Sequence, residues 1–196
     1  MSDSLPWDLH PDLTRERLIA AALLIAQGRW DALSVHNPAL GDNGWTLGCK
    51  AFQFARFQIT RRAGLEGYEW LEIVDPTMQL IFNIGTVPFR FYKGEADAPS
   101  DRTLRQTYSE LAQLSFAFGD EKAGDIAHRF AVETDDDGAI TSIKVVGLRG
   151  ELPVLIWEVP YHEVVSHPEA TKPTEGVELP KPEVRVPGSD KEEKSA

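Results

Sequence analysis

The longest uninterrupted apolar segment of the chain runs from Leu18 to Ala26. Asp12 or Thr14 can cap the N-terminal end of a helix here, and Gly28 can close it in a left-handed conformation. The pattern therefore predicts a helix from about Leu13 to Gln27, buried on most sides because apolar residues nearly encircle its axis. The apolar segment is too short to span a bilayer, and the acidic residues before it are atypical of a signal peptide.

Alternating polar and apolar residues dominate the rest of the first 160 positions. Positions 29–48 contain repeated glycine, asparagine and proline and are predicted to form a loop. A second helix is predicted from Leu104 to Phe118, with Gly119 ending it. Strands are predicted at about 52–60, 68–74, 78–84, 87–93, 128–134, 140–148 and 152–159. In the first of them Phe52 and Phe57 fall on opposite faces, so we expect a bulge near Ala55.

This order of elements predicts an α+β fold. It is a single domain of residues 1–160, with a mainly antiparallel sheet of about six to seven strands and two main helices. After Pro160 the apolar residues become isolated, and proline recurs at positions 168, 173, 180, 182 and 187. Residues 161–196 are therefore predicted to form a flexible tail rich in proline and glutamate.

The stretch Phe89-Arg90-Phe91-Tyr92-Lys93 combines aromatic and basic residues and could stack against nucleic acid. Strand alternation, however, places Phe89, Phe91 and Lys93 on one face and the other two on the opposite face. The aromatic pair would then point away from its nearest basic neighbour. We interpret the segment as a core strand, with Phe82 and Phe91 as core residues.

Charge and cysteine content narrow the classes of function. The formal net charge is −11, and all of this negative charge lies outside the region from Lys50 to Arg105, which has eight basic and seven acidic residues. Such a chain repels phosphate backbones at long range, which makes nucleic acid an improbable partner and favours a protein with a basic surface. Cys49 is the only cysteine, so an intramolecular disulfide and a zinc site made of cysteines are excluded. We expect a cytoplasmic protein that does not enter a membrane.

The chain contains three partial motifs of functional sites. Arg29 and His36 have a spacing similar to that in helical ribonucleases of the HEPN type, a resemblance that implies a helical bundle; the predicted strands instead favour an ordinary loop histidine. Asp135-Asp136-Asp137-Gly138 lacks the later glutamate of a calcium loop and is typical of a hairpin turn. In Ser142-Ile143-Lys144 a serine replaces the carboxylate that a PD-(D/E)xK nuclease needs for magnesium. No catalytic residue, metal or cofactor is predicted.

Two functional hypotheses remain. The first is a non-enzymatic binding protein, such as an inhibitor, an immunity-type factor or an assembly subunit, that acts through an acidic surface. Its candidate partner-binding residues are Glu66, Glu69, Glu72, Asp135, Asp136, Asp137, Trp30 and Trp45. The second is an enzyme or a nucleic-acid-associated protein that uses a central arginine cluster to bind phosphate or another anion. Its candidate residues are Arg56, Arg61, Arg62, Arg90, Arg102 and Arg105.

Overall fold

A computed structural model of the chain describes residues 5–118 and 126–162. The helices are α1 (Pro6–Leu9), α2 (Arg15–Ser34), α3 (Gly44–Arg62), α4 (Asp101–Leu104) and α5 (Tyr108–Phe118), with a 3-10 turn at Pro38–Leu40. The strands are β1 (Leu71–Asp75), β2 (Ile81–Ile84), β3 (Val87–Lys93), β4 (Ala127–Thr134), β5 (Ile140–Arg149) and β6 (Leu152–Glu158). The predicted tail lies outside the described residues from position 163 onward.

The six strands form one sheet in the order β1-β2-β3-β4-β5-β6. All neighbours are antiparallel except β3 and β4, which are parallel. A parallel pair needs a crossover connection, and the segment that carries α4 and α5 lies within it. The predicted α+β class and mainly antiparallel sheet are confirmed.

The sheet separates two apolar clusters. On one face Phe82, Phe89 and Phe130 stack on one another and, with other sheet residues, pack beneath α2. On the other face a smaller cluster joins Ala131 and Val146 to the crossover segment. Phe82 is fully buried, as predicted, while Phe91 is half-buried at the margin of the larger cluster.

The prediction of a strand at 52–60 is wrong, because these residues belong to α3. Asn43 begins this helix: its side-chain oxygen accepts hydrogen bonds from the backbone N–H groups of Trp45 (2.9 Å) and Thr46 (3.1 Å). The buried residues Ala55 and Ile59 are four positions apart, which is the spacing of one helix face. The aromatic and apolar residues change from even to odd positions along this segment, which suggested a bulge in a strand. In the structure this change follows from the periodicity of a helix.

Helix α2 continues to Ser34, so the prediction that Gly28 ends it is wrong. Gly28 lies where α2 packs against α3, and a Cβ atom at this position would lie 2.1 Å from the backbone nitrogen of Ala55. The glycine thus permits the close approach of two helix backbones. None of the described helices, α2 included, is long and apolar enough to cross a membrane.

Tyr161, which composition places at the start of the tail, is only 1% exposed. Its ring lies 6.4 Å from the ring of Trp30, and Trp30 packs at the edge of the large cluster. Trp30 therefore contributes to packing within the fold.

The helix contact predicts opposite effects for two glycines. Gly28→Ala should destabilise the protein by roughly 1–3 kcal/mol, because the added methyl group overpacks the backbone of Ala55. Gly48→Ala, in the open interior of α3, should instead stabilise by roughly 0.5–1 kcal/mol through helix propensity. Denaturant unfolding of both variants measures the difference. Equal effects would contradict the proposed helix contact.

His128 makes stability depend on pH. Burial, aided by the positive charge of Arg129, lowers its pKa to about 3. In the unfolded chain the imidazole binds a proton near pH 6.5, whereas the folded protein keeps it neutral. The contribution of neutral His128 to stability is therefore complete above pH 6.5 and is lost as the pH falls below this value. Between pH 7 and pH 5 this loss should reach about 2 kcal/mol.

The variant His128→Phe keeps an aromatic ring against Phe89 and removes the titration. Its unfolding free energy, measured by denaturant titration at pH 7 and pH 5, should change by about 2 kcal/mol less than that of the natural protein. If the unfolding free energy of both proteins changes by the same amount between pH 7 and pH 5, His128 does not determine the pH dependence of stability in this range.

Candidate ligand-binding site

A pocket opens beside the last residues of β3, beyond the point where its pairing with the shorter β2 stops. Leu80, just before β2, has a φ of 36°, which is unusual for a residue other than glycine, and pairing with β3 begins only after this residue. β3 continues from Arg90 to Lys93 without pairing to β2. Helix α3 and the crossover segment border this gap and enclose a pocket of about 500 Å³.

Two arginines and one glutamate occupy the crossover side of the pocket region. Arg90 on β3 and Arg129 on β4 are direct neighbours in the parallel register, so their side chains project from the same face. The carboxylate of Glu110, on α5, hydrogen-bonds the guanidinium of Arg129 and lies 3.9 Å from that of Arg90. Glu110 is fully buried. We call these three residues the charge cluster; it carries two positive charges and one negative charge.

The side chain of Arg129 is only 1% exposed, and one of its guanidinium nitrogens has no hydrogen-bond partner in the described part of the structure. Its Nε donates to the backbone oxygen of Thr103 (3.3 Å), and its Nη1 donates to that of His128 (2.9 Å) and to Glu110. Its Nη2 has no hydrogen-bond partner among the described residues, although Arg129 lines the pocket. A buried, unsatisfied N–H of a charged group is costly, and an acceptor bound in the pocket would relieve that cost.

The opposite wall of the pocket is aromatic. Phe52 of α3 stacks on Phe91 of β3, with ring centroids 5.3 Å apart. Trp45 and Met78 also line the pocket, and Trp45 is 76% exposed. A smaller cavity of about 130 Å³ shares Phe52 and Phe91 with the main pocket and reaches towards Ile25 of α2. The site is thus cationic on one side and apolar on the other.

Tyr92 and Cys49 also line the pocket. Burial and the negative charge of Glu133 raise the pKa of Tyr92 to about 12, so its hydroxyl stays protonated; it donates to the backbone oxygen of Glu95 (3.0 Å). Cys49 is exposed. Because it is the only cysteine of the chain, its reaction rate can report on what occupies the pocket.

A second ionic group fastens the crossover segment to the sheet. Glu133 of β4 accepts hydrogen bonds from the N–H of Ala96 (3.1 Å), the hydroxyl of Ser142 (2.6 Å) and the ammonium of Lys144 (2.8 Å). Burial alone would raise the pKa of Glu133, but these donors outweigh it and lower the pKa. This attachment holds the start of the segment that supplies Ser100 and Thr103 to the pocket wall.

The acidic residues of the first hypothesis lie at two separate places. Glu66, Glu69 and Glu72 are exposed in and just before β1, at one edge of the sheet. Asp135, Asp136 and Asp137 are exposed in the turn between β4 and β5. The predicted hairpin turn is confirmed, because Asp135 accepts a hydrogen bond from the N–H of Ala139 (2.8 Å).

Arg29, the first residue of the ribonuclease-like pair, supports that same turn. It is buried in α2, and its Nε donates to the backbone oxygen of Gly138 (2.7 Å). His36 lies beyond α2, with its Nδ1 3.6 Å from the carboxylate of Asp42. The surrounding fold contains six strands and is not a helical bundle.

The arginines of the second hypothesis are dispersed. Arg56, Arg61 and Arg62 belong to α3: Arg56 donates to the backbone oxygen of Pro76 (2.5 Å), and the other two lie over the rings of Phe57 and Tyr68. Arg102 falls in α4, but its side chain is outside the described part of the structure.

Arg105 is exposed, and its backbone oxygen accepts a hydrogen bond from Arg90 (3.1 Å). Of the predicted arginines, Arg90 is the one seen to line the pocket. Sequence reasoning missed its partners Arg129 and Glu110. The available signal was a charged residue within the otherwise buried strand that contains His128, Phe130 and Ala131.

The charge cluster predicts strong energetic coupling between its two fully buried members. Arg129→Met and Glu110→Leu should each destabilise the protein by about 3–5 kcal/mol, because each leaves one buried charge uncompensated. The double variant should be more stable than either single variant. Denaturant unfolding of all four proteins in this cycle measures the coupling, and additive losses would contradict the ion pair.

Within residues 5–118 and 126–162, no three histidine, cysteine, aspartate or glutamate side chains converge on a possible metal site. Comparison of the chain with protein-family models, with curated proteins and with solved structures finds no match.

Proposed function

We propose that the protein is a binding protein for a ligand that carries one or two negative charges and an apolar body, and that it holds this ligand in the pocket beside β3. The observation that carries the proposal is that Arg129, a residue of the pocket lining, has a buried Nη2 with no partner among the described residues. A hydrogen bond from a charged donor contributes about 1.5–3 kcal/mol, so a carboxylate or phosphate oxygen there would bind selectively.

The charge balance of the pocket supports an anion over a neutral ligand. Glu110 neutralises one of the two neighbouring guanidiniums, and Lys93 adds a further positive charge at the rim. The charged residues that line the pocket are therefore all positive, although the whole chain carries −11. This overall charge repels extended polyanions such as nucleic acid, whereas a small anion meets mainly the local field.

The aromatic wall defines the rest of the ligand. Phe52 and Phe91 present a stacked surface opposite the cations, and the adjoining cavity leads to Ile25. A ligand with a flat or branched apolar group can bury it there while its anionic group reaches Arg129. Pockets of several hundred cubic ångströms with an apolar lining and few polar groups are typical of small-molecule sites.

Docking through an acidic surface remains a second proposal with weaker support. The six acidic residues that would form such a surface are divided between the β1 edge and the turn after β4. A basic partner would have to contact one of these two places. The anion pocket, in contrast, brings its charged and aromatic residues together in one cavity.

A matched pair of probes tests the anion pocket. Naphthalene-2-carboxylate should bind at least about tenfold more tightly than naphthalene-2-carboxamide, since the amide has the same apolar body and lacks the charge. Calorimetry measures the affinities. The rate at which Cys49 reacts with the uncharged reagent 4,4′-dithiodipyridine should fall when the carboxylate occupies the pocket.

Charge variants supply the control. Arg90→Gln and the double variant Arg129→Gln/Glu110→Gln should lose the preference for the carboxylate, while Arg149→Gln, an exposed arginine at the far end of β5, should retain it. Equal affinity for carboxylate and amide, or a loss of preference in all three variants, would refute the proposal. Circular dichroism establishes that each variant is folded.

A further inference from the structure

The pocket contains an open sheet edge. Pairing between β2 and β3 ends at Phe82 opposite Phe89, while β3 and β4 remain paired as far as Lys93 and Val132. Since β2 begins at Ile81, next to Arg90 in this register, the described part of the chain places no strand beside Phe91–Lys93 on the β2 side. Such an edge presents backbone donors and acceptors to any chain that approaches it.

Strand alternation shows which backbone groups face the gap. The N–H of Gly94 donates to the backbone oxygen of Val132 (3.1 Å), so the even-numbered residues at this end of β3 direct their backbone groups towards β4. Those of Phe91 and Lys93 consequently point the other way, into the gap left by β2. They offer two N–H groups and two carbonyl oxygens along about 7 Å of strand.

The two sides of the gap differ in chemistry. A chain lying beside β3 would direct alternate side chains to opposite faces of the sheet. On one face they would meet Phe52 and Phe91, and on the other they would meet Arg90 and Arg129. The matching sequence alternates an apolar residue with an acidic one.

Building on the proposed anion pocket, we infer that its ligand is an extended peptide segment that adds to the free edge of β3 as a short strand. Its apolar side chain packs on Phe52 and Phe91, and its aspartate or glutamate reaches Nη2 of Arg129, for which the described residues provide no hydrogen-bond partner. Main-chain hydrogen bonds to Phe91 and Lys93 supply affinity, and the alternating side chains supply specificity.

A random decapeptide library displayed on phage, selected on the immobilised full chain, tests this inference. The enriched peptides should contain an acidic residue flanked at alternate positions by apolar residues. A synthetic peptide of the enriched sequence should compete with naphthalene-2-carboxylate and protect Cys49. Replacing its acidic residue with the matching amide should weaken binding at least about tenfold.

Position 93 offers a matched pair of protein variants. Lys93→Pro removes the N–H group that faces the gap and leaves the hydrogen bonds between β3 and β4 intact. Lys93→Ala keeps this N–H group and loses only the side chain. The proline variant should bind the peptide about tenfold more weakly than the alanine variant, with both remaining folded by circular dichroism. Equal binding by the two variants would overturn strand addition.

Backbone N-methylation of the peptide gives an independent readout. Methyl groups on the amides that face β3 should abolish binding, and those on the alternate amides should be tolerated. Uniform tolerance, or a selection that enriches no acidic sequence, would also overturn the inference. If naphthalene-2-carboxylate still binds and its binding depends on Arg90, the anion pocket stands and only the peptide ligand is refuted. If the carboxylate does not bind in this way, both the anion pocket and the peptide ligand are refuted.

Discussion

The candidate site depends on one carboxylate that serves two cations. Glu110 is fully buried and hydrogen-bonds Arg129, and its other oxygen lies 3.9 Å from Arg90. Removing these charges from water is expensive, and the cost is tolerated only when partners satisfy them. Glu110 can neutralise one guanidinium but not both. The proposed preference for an anion rests on the positive residues that line the pocket and on Nη2 of Arg129, which has no hydrogen-bond partner among the described residues.

The topology of the sheet creates both the charge cluster and the gap beside it. Because β3 and β4 are parallel, the chain must cross over between them, and this crossover brings Glu110 to the face that carries Arg90 and Arg129. At the opposite side of β3, the turn at Leu80 keeps β2 short and leaves the edge open. A longer β2 would fill the pocket with ordinary sheet pairing.

Much of the sheet was predictable because alternation has a direct physical cause. Apolar residues recur at every second position at Leu80, Phe82 and Ile84, and the predicted strand at 87–93 matches β3. The sequence pattern does not reveal helix α3, because its aromatic residues also suit a strand and because Asn43, its cap, lies among residues typical of a loop. Gly28 was misassigned because its role depends on contact with Ala55, which no local pattern reveals. The pairing of Arg129 with Glu110 likewise joins residues from separate elements.

A crystal structure of the protein with naphthalene-2-carboxylate tests the central claim most directly. The carboxylate should lie about 3 Å from Nη2 of Arg129, with its rings against Phe52 and Phe91, and Glu110 should remain bonded to Nη1. A carboxylate bound elsewhere, or an Nη2 already bonded to a protein group in ligand-free crystals, would contradict the account.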